Sequence, residues 1–234
     1  MKLKYYFGIF SVCFLFVTQL FAQTKEPKVL LEAVNAKFSK VKDYSADVRI
    51  KVDIDLFKVP ETTAKIYFKQ PDKVKMESKG FAMLPKQGLN FSPNKLLSEK
   101  YEAIYIRTEQ IENISLDVIK VIPLSDTSDV LLSTFWIDSK NKVVRKIASV
   151  TKKSGEINIG MQYDDSSIKY GLPTRVEFYF NAEDSPSTSQ NQNPKEDLQK
   201  IQRGKLQGNV IVFYSNYKVN KGIPDDIFKK NQQD

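Results

Sequence analysis

The side chains that do most enzyme chemistry are scarce in this 234-residue chain: it has no histidine and one cysteine, Cys13. Without histidine there is no Ser-His-Asp or Cys-His nucleophile pair and no imidazole metal ligand. Cys13 lies inside an N-terminal apolar run, so loss of that run leaves neither a disulfide nor a thiolate site. Paired carboxylates occur at Asp164-Asp165, Asp225-Asp226 and Asp126/Asp129. The first pair precedes Ser166-Ser167 at a strand end and reads as turn chemistry. The second suits a helix start, and the third sits in a Ser/Thr/Asp loop without calcium-loop spacing. The nine glycines are dispersed and build no phosphate cradle. Asn113-Ile114-Ser115 matches a glycosylation acceptor, a short pattern of little weight. Trp136 reads as a packed sheet residue or, less directly, a ligand anchor. No catalytic, metal or cofactor site is expected, and no enzymatic activity.

What the chain does offer is apolar surface, with 41% apolar and 27% charged residues. Its start has the form of an export signal. Lys2 and Lys4 are followed by an apolar run from Tyr5 to Val17 and a small residue at Ala22. Cleavage after Ala22 is expected, giving a mature chain that begins at Gln23. The alternative is a membrane anchor, but the run is shorter than the roughly 20 residues a span needs. Cys13 sits mid-run, which disfavours a lipoprotein signal. An exported chain without mature cysteines fits a periplasm better than a disulfide-stapled scaffold. The 36 basic and 28 acidic residues give +8, but in an exported chain this excess does not argue for nucleic acid. Anionic lipid headgroups, an acidic protein or simple solvation remain as its explanations.

The elements that would shape this surface are legible in the periodicity. Leu30, Val34, Phe38 and Val41 recur at helical spacing over Pro27 to Val41, with Pro27 at a first helical position. Val48, Ile50, Val52 and Ile54 then alternate with Arg49, Lys51 and Asp53 as a half-buried strand. Ala64, Ile66 and Phe68 repeat the pattern, and Val74 and Met76 continue it after Gln70-Pro71-Asp72. Further strands are expected over 103–108, 114–122, 135–138, 142–150, 156–163, 174–180 and 209–219. Ser139-Lys140-Asn141 reads as a hairpin connection. About ten or eleven strands after one helix favour a large, curved antiparallel sheet over an alternating α/β fold. Residues 183–200, poor in large apolar side chains, read as a mobile hairpin excursion inside a single domain of residues 23–234. Pro224 to Phe228 could begin a short helix with acids in its first turn.

Gly80 to Leu97 is unusual. Phe81, Met83, Leu84, Leu89, Phe91, Leu96 and Leu97 crowd a segment that Gly80, Pro85, Gly88 and Pro93 keep from forming one helix or strand. It is either a loop packed permanently on the sheet or a lid over an apolar cavity. In the second case Phe81, Met83 and Leu84 form the lid, with Met83 supplying adaptability. The cavity would then be lined by Ile50, Val52, Ile54, Ile66, Phe68 and Met76. An ordinary core under a covering helix would bury much the same residues.

In its order of features the chain resembles the outer-membrane lipoprotein carrier family, the LolA-like superfamily. The matching stretches are the export signal, the helix into Tyr44-Ser45-Ala46-Asp47 and the strand pair around Phe68-Lys69-Gln70-Pro71-Asp72-Lys73-Val74. Thr134-Phe135-Trp136-Ile137-Asp138, Tyr170-Gly171-Leu172-Pro173-Thr174-Arg175-Val176 and Tyr217-Lys218-Val219-Asn220-Lys221-Gly222-Ile223-Pro224 follow. The resemblance implies an incomplete, half-open antiparallel β-barrel with an N-terminal helix and a lid over its concave apolar face. It also implies a monomeric periplasmic carrier of lipoprotein acyl chains or free lipid, with an inner-membrane donor and an outer-membrane acceptor. An envelope-stress regulator that senses lipid and binds a membrane protein, and a purely structural domain, are the alternatives. Two departures stand out. The family's latch arginine before the turn proline is Gln70 here, and Ser92-Pro93-Asn94-Lys95-Leu96 replaces an Asp-Gly turn.

Overall fold

A computed structural model of the chain describes residues 26–54, 57–58, 60–78, 100–152, 155–182 and 206–229. The expected signal segment, the expected lid residues Phe81, Met83 and Leu84, and the expected excursion over 183–200 lie outside the described residues.

The helix α1 spans Pro27–Phe38 and buries Leu30, Leu31, Val34 and Phe38 along one stripe. It stops short of Val41. The backbone N–H and the hydroxyl of Ser39 both return to the Asn35 carbonyl at 2.9 Å, closing the last turn. Val41 is still fully buried, so its apolar character serves the core rather than the helix.

Eleven strands follow: β1 (Asp43–Ile54), β2 (Phe57–Lys58), β3 (Thr62–Lys69), β4 (Lys73–Ser78), β5 (Tyr101–Ile111) and β6 (Ile114–Pro123). They continue as β7 (Val130–Asp138), β8 (Val143–Thr151), β9 (Gly155–Gln162), β10 (Arg175–Ala182) and β11 (Leu206–Val219). Ten form one antiparallel path, β4-β3-β1-β11-β10-β9-β8-β7-β6-β5, and β2 pairs only with β1. The path does not close, because β4 and β5 end it. This is the large antiparallel sheet after one helix that the periodicity implies, in the open-barrel form that the family resemblance implies.

Hairpin chemistry sets the registers. Ile111 faces Ile114 across a two-residue turn, Glu112-Asn113, in which both residues have positive φ, 47° and 65°. That geometry belongs to the tight turns whose twist matches the strands, and asparagine tolerates it well. Asn113 therefore has a turn role. The C-terminal Asp225–Phe228 is a short 3₁₀ turn, tied down where Lys69 and Lys73 reach the Asp225 carboxylate at 2.9 and 3.0 Å.

The helix lies on the inner face of the sheet. Near its start, Lys28 pairs with Glu102 of β5 at 3.3 Å. Near its end, the Lys37 ammonium donates to the Asn141 carbonyl in the β7–β8 turn. Leu31, Val34 and Phe38 join Ile119, Phe135, Ile137 and Ile147 in one apolar core.

Candidate binding groove

The alternation along β1 decides which side chains can meet a ligand. Tyr44, Ala46, Val48, Ile50 and Val52 share one face, and all pack in or against the core. Ile50 is 1% exposed, and Ile66 and Phe68 on β3 are equally enclosed. Phe68 stacks on Tyr44 with ring centroids 5.2 Å apart and meets Phe38 of the helix at 5.5 Å. Burial pushes the Tyr44 phenol well above its ordinary pKa, so it stays neutral. These positions form part of the packed core, which the helix reaches through Phe38.

Two residues further along β1 the environment changes. Val52 is only half-buried, as is Met76 on the β4 edge. Ile50, Val52, Ile66, Phe68 and Met76 are thus brought to one face of the sheet. The side chain of Ile54 lies outside the described residues. The register extends the half-buried surface in a direction the sequence reading did not take. Val52 faces Val210, Val210 faces Phe178, and Phe178 faces Ile159. All four are half-buried and pack against the core from its rim. This row across β9, β10, β11 and β1 is a half-buried apolar strip on the inner face, and it is the candidate floor of a binding groove. The alternation of Val176, Phe178 and Phe180 against Arg175, Glu177 and Tyr179 was the signal for its central strand. The opposite face of β10 is polar, as that pattern requires: Arg175 pairs with Glu177 at 2.9 Å, and Asn209 donates to Glu177 at 2.9 Å.

The inner face is not wholly apolar. Asp117 accepts the Thr108 hydroxyl at 2.8 Å and is also bonded by Tyr105 and Ser139. Further along, the Ser133 and Ser149 hydroxyls meet at 2.7 Å. Among the described residues no group of three or more histidine, cysteine or carboxylate side chains is placed to hold a metal ion. Asp164 accepts Ser166 and the Ser167 backbone N–H at 2.9 and 2.7 Å, a turn arrangement that holds its carboxyl below the usual carboxylate range. Trp136 donates its indole N–H to Glu109 at 2.8 Å, and Lys146 lies over its ring, as a packed sheet residue would.

Gln70 occupies the expected latch position. Its amide donates to the carbonyls of Ser39 and Val41 at 2.9 and 2.8 Å, and its backbone N–H bonds the Lys42 carbonyl at 2.8 Å. An amide can therefore pin the stretch between α1 and β1 without a charge. Gln70→Ala is expected to destabilise the protein by about 1–2 kcal/mol, two partly exposed neutral hydrogen bonds' worth. Urea melts measure it, and an unchanged midpoint would show that these bonds do not hold the helix exit.

No family model matches the chain, and no curated protein matches it by sequence. Solved structures do. A LolA superfamily protein from Nitrosomonas europaea superimposes with a TM-score of 0.58 at 13% identity, covering 87% of this chain and 97% of that one. An outer membrane lipoprotein-sorting protein domain from Vibrio parahaemolyticus gives 0.57 at 10% identity with the same coverage. A DUF1329 family protein from Desulfovibrio piger gives 0.54 at 11% identity. The architecture is therefore that of the LolA-like open barrels. At these identities the likeness concerns the fold alone.

Proposed function

We propose that this protein is an exported, non-enzymatic carrier that shields lipoprotein acyl chains, or another lipid, during transfer toward the outer membrane. The observation that supports it is the row Val52-Val210-Phe178-Ile159, half-buried and apolar on the inner face of a LolA-like open sheet. Burying one methylene is worth roughly 0.8 kcal/mol, so a long acyl chain laid along such a row gains several kcal/mol without directed polar contacts. An open groove also lets the load leave, which a sealed core does not. No helix among the described residues is long and apolar enough to cross a membrane. In this reading the chain is cleaved after Ala22, works as a periplasmic monomer, and passes its load from an inner-membrane donor to an outer-membrane acceptor.

Extraction and mass spectrometry of the mature protein purified from the envelope provide the test. Copurifying lipid or lipoprotein is the expected result. A stable protein partner without lipid would favour a lipid-sensing regulator instead, and neither would leave a structural domain and overturn the carrier reading.

A further inference from the structure

The inner face has a polar break beside the groove. On consecutive strands Val121 faces Ser133, Ser133 faces Ser149, and Ser149 faces Ile157. The two serines are 4% and 8% exposed. Two positions along the same face of their strands stand Phe135 and Ile147, both in the packed core. Ile157 lies two residues from Ile159, on the same face of β9, so the hydroxyl pair adjoins the end of the groove floor. Apart from the Asp117 cluster further along β6, this pair is where the inner face turns polar, at one end of its half-buried row.

Proton accounting gives this break a direction. Each hydroxyl has one proton and two acceptor lone pairs. One proton bridges the two oxygens, which leaves the second to be donated elsewhere. The flanking residues in the row, Val121 and Ile157, are apolar and bring no charge. A neutral donor in such surroundings suits a carbonyl. A free carboxylate brought there would lose its hydration without meeting a counter-charge in the row.

We infer that Ser133 and Ser149 hold the polar linkage of the bound amphiphile, an ester or amide carbonyl, while its chain runs along Ile159, Phe178, Val210 and Val52. The inference rests on the carrier reading and narrows it: the ligand class is an acyl ester or acyl amide, not a free fatty acid.

Competition against a fluorescent fatty acid tests it, with monooleoylglycerol and oleate as the two competitors. The wild-type mature protein should prefer monooleoylglycerol. Ser133→Ala/Ser149→Ala should weaken monooleoylglycerol about five- to tenfold, the effect of one lost hydrogen bond, and leave oleate within about twofold. Removing both hydroxyls together strands no buried partner, so the fold should be kept. If the double variant does not fold, Ser149→Ala alone carries the same comparison. Equal losses for both competitors, or an unchanged preference, would overturn the inference and leave the carrier reading standing. A wild-type protein that binds neither competitor would instead remove the carrier reading, and this inference with it.

Discussion

Val52→Asp is expected to weaken binding of a fluorescent fatty acid by more than about tenfold while lowering stability by less than about 1.5 kcal/mol. Ile50→Asp, two residues earlier on the same face, is expected to cost several kcal/mol and to lose the native fold at moderate denaturant. The contrast follows from burial. Ile50 is 1% exposed and packed in the core, whereas Val52 is half-buried at its rim. In the empty protein a carboxylate at position 52 can turn into water. With an acyl chain laid beside it, that carboxylate must desolvate without a partner. At position 50 it has no such exit in either state. Denaturant melts of the lipid-free variants, run beside probe titrations, separate the two effects. Equal destabilisation by both substitutions would show that Val52 belongs to the closed core and that the groove floor lies elsewhere.

The difference between these two positions also marks how far the sequence could be read. Alternation along β1, β3 and β10 identified which residues share the inner face, because that period is a property of one strand. It could not tell Ile50 from Val52, since both are apolar and both point inward. Their difference depends on which distant residues pack over each position, since Ile50 falls inside the core cluster and Val52 at its rim. The same holds for Ile159, Phe178 and Val210. Each strand was legible alone, but the row exists only through the β9–β10–β11–β1 registers. Ser133 and Ser149 are sixteen residues apart and carry no local signal of their meeting. The helix was expected to reach Val41 because spacing alone cannot distinguish a last helical residue from a core residue just beyond it. Gln70 departs from the charged latch that the family resemblance implies, and its amide still bonds the helix exit.

The second large effect concerns how the helix is held. Asp138→Ala is expected to cost about 3 kcal/mol, the lower end of what breaking a buried ion pair costs. Asp138 is 1% exposed at the end of β7. It accepts the Asn141 backbone N–H at 2.9 Å and side-chain amide at 2.8 Å, and pairs with Arg145 at 3.1 Å. Alanine would leave the arginine, itself largely buried, without its counter-charge, and would free the turn that Asn141 shapes. That turn supplies the carbonyl bound by Lys37, so the damage should pass to the seating of α1. The charge also makes the effect depend on pH. Burial opposes ionisation of Asp138, but the Asn141 hydrogen bonds and Arg145 outweigh it and hold the carboxyl below the usual carboxylate range. A carboxyl whose pKa is depressed on folding contributes its stability above its unfolded value of roughly 3.9, and loses that contribution as pH falls through the folded value. Wild-type melting temperature should therefore drop on acidification below about pH 4, and Asp138→Asn should flatten part of that drop while keeping some of the hydrogen bonds. Melting temperatures of the three proteins between pH 7 and the acid limit measure both effects. A loss under about 1 kcal/mol for Asp138→Ala at neutral pH would place Asp138 among ordinary surface pairs and remove it as the support of the helix.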